Sequence, residues 1–182
     1  MEQNLKARYF EYVLNRLLTW HEQSTGSLPN DFNILKSIKL LFFVSAASGN
    51  KDSNPLIENV FDKFVAMPYG HVESDIYHQI KNNNGTLSYY QIDNNRTIGN
   101  GQFDTSDLNR SITENIDKAI QFLQNANPNF VMMSSFDLVN LSHAWYSWQK
   151  YYAMAKQQGQ RSIPIPAKVI IGEDKIYSLN TF

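Results

Sequence analysis

The sequence predicts a mainly α fold, a single-domain helical bundle with a small β element, over residues 1–182. Three observations carry this. Apolar residues recur at helical three-and-four spacing between Leu5 and Trp20. A second stretch, about Asp31 to Ser48, is apolar nearly all round. Later stripes follow capping residues near Ser111 and Ser134, whereas strand-type alternation is confined to short pieces. A chain of 182 residues buries roughly 70% of its unfolded surface, enough for one core.

In order along the chain, Leu5, Tyr9, Tyr12, Val13, Leu17 and Trp20 form one helix face, widened by Phe10, Leu14 and Leu18. Ser24-Thr25-Gly26-Ser27 ends it, because glycine accepts the left-handed backbone that follows a last turn. The second helix, with Lys36 and Lys39 as the only charges in its interior, is expected to be the most buried and to stop at Gly49-Asn50. Residues 54–67 are apolar without helical periodicity and suit short extended pieces. Pro68-Tyr69-Gly70 is a turn, since proline fixes one dihedral and glycine frees the next. A short helix is expected after it, with Val72, Ile76 and Ile80 on a stripe and Glu73 and Asp75 in its first turns.

Thr86 to Ile92 alternates as a strand, and Asp93 to Asp104 reads as a loop or ragged hairpin. Ser111-Ile112-Thr113-Glu114 matches a capping box, with Ile112, Ile116, Ile120 and Leu123 placing one face of the next helix in the core. Ser134 or Ser135 caps another helix bearing Leu138, Leu141, Trp145, Trp148 and Tyr152. Ile163-Pro164-Ile165-Pro166 must be extended, and Lys168 to Leu179 fits either a hairpin or a terminal helix.

Composition narrows the chemistry. The absence of cysteine removes disulfides, thiolate metal sites and thiol nucleophiles together. A net charge of −1 supplies no electrostatic footprint for nucleic acid. The N-terminus lacks a basic start followed by an apolar run, and no apolar run approaches the ~20 residues of a membrane span, so a cytoplasmic protein is expected. On that basis the four Asn-x-Ser/Thr sequons, Asn84, Asn95, Asn109 and Asn140, are accidents of an Asn-rich composition.

No zinc-protease, phosphate-loop or serine-hydrolase motif occurs. His71 and His78 lie seven residues apart, about 10 Å along a helix, too far to share a metal alone. Glu73 and Asp75, two residues apart on a helix, are expected to diverge, which argues against an acid–base pair. The net charge of −3 between Asp104 and Asp117 reads as a solvated helix face. Two segments invite another reading. Phe64 to Val72 delivers Tyr69 and His71 to a rigid turn, and His143 stands five residues before Trp148. Rings and imidazoles combine apolar area with a polar tip, which suits either core packing or a surface that holds another protein.

These residues also carry a resemblance. Lys39-Leu40-Leu41-Phe42-Phe43, then Phe64-x-Ala66-x-Pro68-Tyr69-Gly70-His71-Val72 leading to Ile76-Tyr77, then Leu138-x-x-Leu141-Ser142-His143 with Trp148, resemble the Panacea domain, the SocA-like antitoxin family of phage-associated proteins, over about residues 31–165. His71 departs from the pattern, which has proline after the glycine. The resemblance implies a bacterial or phage cytoplasmic protein, mostly helical with a small β element, which binds and blocks a cognate toxin encoded beside it. It implies no catalytic residue, cofactor or metal. Candidate partner-binding residues are then Tyr69, His71, Tyr77, His143 and Trp148, with Trp148 the member best suited to the core. An adaptor or scaffold would use the same surface chemistry. A DNA-binding autoregulator finds some support in a charge of +3 summed over Lys150, Lys156, Arg161, Lys168, Lys175, Glu173 and Asp174.

Overall fold

The structure, a computed structural model, describes residues 2–48 and 55–179. Its first helix, α1 (Gln3–Thr25), outruns the predicted stripe by about a turn at its C-terminus and ends where Gly26, at φ 76°, returns its N–H to the Glu22 carbonyl. Tyr9, Phe10, Val13, Leu14, Leu17 and Trp20 are its buried face. The second, α2 (Ile34–Ala47), starts at Asn33, whose side chain accepts the Lys36 N–H. It lies centrally, against α1 and four later elements, and every residue from Lys36 to Ala46 is buried. The expected stop at Gly49-Asn50 lies outside the described residues.

The apolar stretch before the turn holds both a short helix, α3 (Pro55–Asn59), and a strand, β1 (Phe64–Met67). Pro68-Tyr69 turns β1 into β2 (Gly70–Glu73), with Met67 opposite Gly70 and Phe64 opposite Glu73. Val72 is therefore extended, contrary to the helical stripe expected there. The hairpin register holds the chain straight through Glu73, and helix α4 (Ser74–Asn82) begins only after it. Glu73 is the cap of α4, its Oε2 accepting the Ile76 N–H at 2.9 Å.

Strands β3 (Tyr90–Ile92) and β4 (Thr97–Gly99) form the ragged hairpin. Helix α5 (Arg110–Ala126) buries Ile116, Ile120 and Leu123 as predicted, but Ile112 in its first turn is only partly buried and its cap is Asn109 and not Ser111. Asn109 Oδ1 takes the Ser111 N–H, while Glu114 pairs with Arg110, so the capping box does not form. A 3₁₀ turn (Phe130–Met132) leads to α6 (Ser135–His143), capped by Ser134, and then α7 (Tyr146–Gln157). The break at Ala144-Trp145 divides what the sequence presents as one stripe. Ile163-Pro164 pairs with β1 as β5, completing a sheet of order β2-β1-β5. The chain then forms α8 (Ala167–Gly172) and an irregular tail, so neither a hairpin nor a helix reaching Leu179 is present.

The break sends Trp145 into the core at 0% exposure, with its Nε1–H donated to the Ile176 carbonyl at 3.0 Å. Phe42, Phe43 and Tyr177 meet its ring edge to face. Of the two late tryptophans, Trp145 thus lies in the core and Trp148 is only partly buried. The acidic run also differs from a purely solvated face. Asp107 pairs with Arg8 and Asp117 with Arg16, tying the start of α5 and the loop before it to α1.

Candidate partner-binding site

The β1–β2 hairpin is where the separated sequence pieces meet. From α2, the fully buried Lys39 donates its Nζ proton to the His71 carbonyl. One turn on, Phe42 stacks on the His71 ring, centroids 3.7 Å apart and planes 4° from parallel. From α6, Ser142 Oγ accepts the His71 N–H at 3.1 Å and lies 2.8 Å from Nδ1. From α7, Ser147 Oγ lies 2.7 Å from His71 Nε2. Burial first, then the positive charges of Lys39, His143 and Lys175, hold the His71 imidazole well below its ordinary pKa. A neutral ring with both nitrogens engaged by serine hydroxyls is a structural centre.

His71 is therefore placed in the core, where it offers no surface to a partner. Its presence where the family pattern has proline has a clear accommodation: the N–H that proline would lack is taken by Ser142, and the ring is absorbed by Phe42 and Ser147. Gly70 completes the fit. At φ 100° it occupies left-handed backbone, and a Cβ there would stand 2.4 Å from Ser142 Oγ. Replacing Gly70 by Ala should lower stability by about 2 kcal/mol or more, read from denaturant unfolding. An unchanged midpoint would contradict the close approach.

The other candidates lie at the tip and on one flank. Tyr69 is 59% exposed, the most prominent ring of the hairpin. His143 Nε2 lies 3.1 Å from the Pro68 carbonyl, and Trp148 donates its Nε1–H to Met67 O at 2.8 Å. The two rings stack at 3.7 Å, and Tyr152 extends the stack at 4.9 Å from Trp148. Burial, followed by the nearby Lys39 charge and opposed by the Pro68 carbonyl, lowers the His143 pKa. This half-buried stack props the outer strand end of the turn. Tyr77 stands apart from it on α4, bordering with Tyr69 a groove of about 400 Å³ between α2, the hairpin and α4. Four candidates thus remain wholly or partly accessible, on two flanks of one turn.

Two contributors were not singled out by sequence. Ser147 carries no local signal, because only the hairpin from 76 residues earlier in the chain explains it. Lys6 is the other. Its Nζ, on a side chain 1% exposed, meets Asp62 at 2.6 Å, Asp75 at 2.8 Å and Glu73 at 2.9 Å. Glu73 and Asp75 therefore converge and do not diverge, because one ends a strand and the other starts a helix. Oxygens of the three carboxylates lie within 4.8 Å of one another, a spacing that suits a cation, and the Lys6 ammonium is that cation. Burial opposes its charge, yet the carboxylates outweigh burial and raise its pKa.

The family described as Antitoxin SocA-like, Panacea domain, matches residues 38–149, more than half of the chain. The chain belongs to this family. The match is narrower than the expected 31–165, but it contains all three sequence pieces that converge on the hairpin. Helix α1, most of α7 and the whole segment after it lie outside the Panacea match, although α1 and the last segment contribute to the same hydrophobic cluster. No curated protein and no solved structure matches the chain. Among the described residues, no helix is long and apolar enough to cross a membrane.

Proposed function

We propose that this Panacea-domain protein is an antitoxin that binds a toxin polypeptide encoded beside it and holds it inactive in the cytoplasm, without making or breaking bonds. The observation that carries the reading is the use made of the family's own residues. Lys39, Phe42, Ser142, His143 and Trp148 all hold the backbone or ring of one hairpin, whose tip then projects Tyr69. A tightly braced turn with an exposed aromatic side chain loses little entropy on association, which favours it as an interface anchor. The imidazole nearest the tip's centre, His71, has both nitrogens committed inside the core, which supports binding over catalysis.

The direct experiment expresses adjacent reading frames with and without this chain. One that is toxic alone and harmless together, and that co-purifies with this chain, supports the reading; neighbours that are harmless in every combination reject it. Rescue that requires a third component would assign an adaptor role instead. Within the complex, Tyr69→Ala should weaken binding by about 2 kcal/mol or more by calorimetry, as for a central aromatic anchor. Its melting temperature should stay near that of the parent chain, since the ring is mostly in solvent.

A further inference from the structure

The groove beside Tyr69 has a chemical bias of its own. Its walls are apolar, formed by Ile34 and Ile38 of α2, Met67 and Pro68 of the turn, and Val72. Its polar side chains are Lys39, Tyr69, Tyr77, Lys81 and Asn94, each able to donate a hydrogen bond. Among the described residues, no carboxylate lines it. Lys81, exposed at the rim, forms no ion pair among the described residues and sets its Nζ 5.7 Å from the centre of the Tyr77 ring. Lys39 lies under the floor, fully buried, with three N–H groups and the His71 carbonyl as its hydrogen-bond acceptor. A concave apolar slot with one amine beneath it and another at its edge is complementary to an apolar group next to a negative charge. At about 400 Å³ it falls within the range of clefts that enclose specific ligands.

We propose that this groove receives a short acidic and apolar segment of the bound polypeptide, seating an aliphatic or aromatic side chain between Ile38 and Val72 and directing a neighbouring Asp or Glu carboxylate to Lys81 above Lys39. The occupant's being a polypeptide rests on the partner-binding reading; the demand for a carboxylate beside an apolar group rests on the groove alone. Water is displaced from the slot by the apolar side chain, so the carboxylate meets the two amines at lower effective dielectric than at an open surface. Lys39 needs no exposure for this, because its field acts across the floor. Tyr69 closes the same groove at the tip, which links the aromatic anchor and the charge reader in one surface.

The test titrates the isotope-labelled full chain at pH 6, where the Lys39 amine carries its proton and a Glu side chain is ionised, with three capped pentapeptides and follows backbone amide shifts. The peptides are Gly-Leu-Glu-Leu-Gly and its versions with Gln or Lys at the centre. The Glu peptide should shift amides of the turn, Val72, Tyr77 and Lys81, and bind about tenfold more tightly than the Gln peptide. The Lys peptide should bind more weakly than either. Lys81→Glu should remove the preference with only a small fall in melting temperature, since Lys81 makes no ion pair among the described residues and gives up only its contact with the Tyr77 ring and a favourable charge in the last turn of α4. Equal affinity for the Glu and Gln peptides, no binding by any of them, or shifts confined to another face overturns the proposal. Sodium valerate forms a fourth arm, and if it binds as tightly as the Glu peptide the occupant is a small carboxylate and not a polypeptide segment. These outcomes are separate from toxin neutralisation. A groove that prefers the Glu peptide while every neighbouring gene product proves harmless removes the toxin and keeps the groove; a neutralised toxin with no peptide preference does the reverse.

Discussion

Replacing Lys6 by Met should destabilise the protein by about 3–5 kcal/mol, a fall of about 10 °C or more in melting temperature for a chain of this size. The size of the effect comes from what remains behind. Glu73, at 0% exposure and already raised in pKa by burial, would lose the ammonium 2.9 Å away. It would either hold an unpaired buried charge or take up a proton, each at a cost, with Asp62 and Asp75 facing it as like charges. Glu73 also accepts the Lys63 N–H and caps α4, so its carboxylate joins α1, the hairpin and the following helix. Two controls identify the cause. Adding Glu73→Gln to Lys6→Met should recover part of the loss, because the cap can still form and the stranded charge is gone. The penalty should also shrink in acid. Lys6 holds the Asp62 and Asp75 carboxyls below their ordinary values against the opposing effect of burial, so the stability they contribute is present above pH ~4 and lost as pH falls through their lowered values. Equal stability of the parent and Lys6→Met at neutral pH would show that the network contributes nothing.

That network also shows where sequence reading stops. The α1 and α2 stripes and the Pro68-Tyr69-Gly70 turn are legible because each depends on periodicity or on backbone preferences within a few residues. Val72 and Glu73 are misplaced by the same reasoning, since a single apolar residue at helical spacing cannot compete with a strand register that the hairpin imposes. The exchange of roles between Trp145 and Trp148 has a similar origin. A continuous stripe puts both rings on one face, whereas the break after His143 turns Trp145 inward and leaves Trp148 half-buried at the hairpin edge. Of the candidate site, Tyr69 and the His143–Trp148 pair are found from residue chemistry at the turn and on the late helices. The burial of His71 is not, because its three polar partners come from Ser142, Ser147 and the Lys39 amine, all distant in sequence. Family resemblance locates those pieces without saying which faces inward.

Lys39→Met should make the protein more stable at neutral pH and poorer at holding its partner, the opposite of what a buried hydrogen-bonded residue usually gives. Burial pushes the Lys39 amine down to about 7 from an ordinary 10.5. Between those values the unfolded chain binds more protons than the folded one, so stability increases as pH rises. From pH 7 to 9.5 the gain from this residue is roughly 3 kcal/mol. Burial lowers the pKa of Lys36 and Lys175 as well, adding slopes of the same sign, while Lys6, shifted upward, stays protonated in both states through most of this window. In Lys39→Met the unbranched side chain fills similar volume without an amine to desolvate, and the pH slope should flatten by about the amount Lys39 supplied. Leaving the buried His71 carbonyl without this donor costs about 1–3 kcal/mol, less than the roughly 4 kcal/mol that a fall from 10.5 to about 7 represents at neutral pH. Denaturant melts of both proteins across this range measure the difference, and a parent chain whose stability is flat or falls with pH would refute it. A residue that costs stability in the most buried helix, directly beneath the groove, has its compensation elsewhere. The same substitution should therefore weaken the Glu-peptide preference of the groove while leaving contacts of Tyr69 in place.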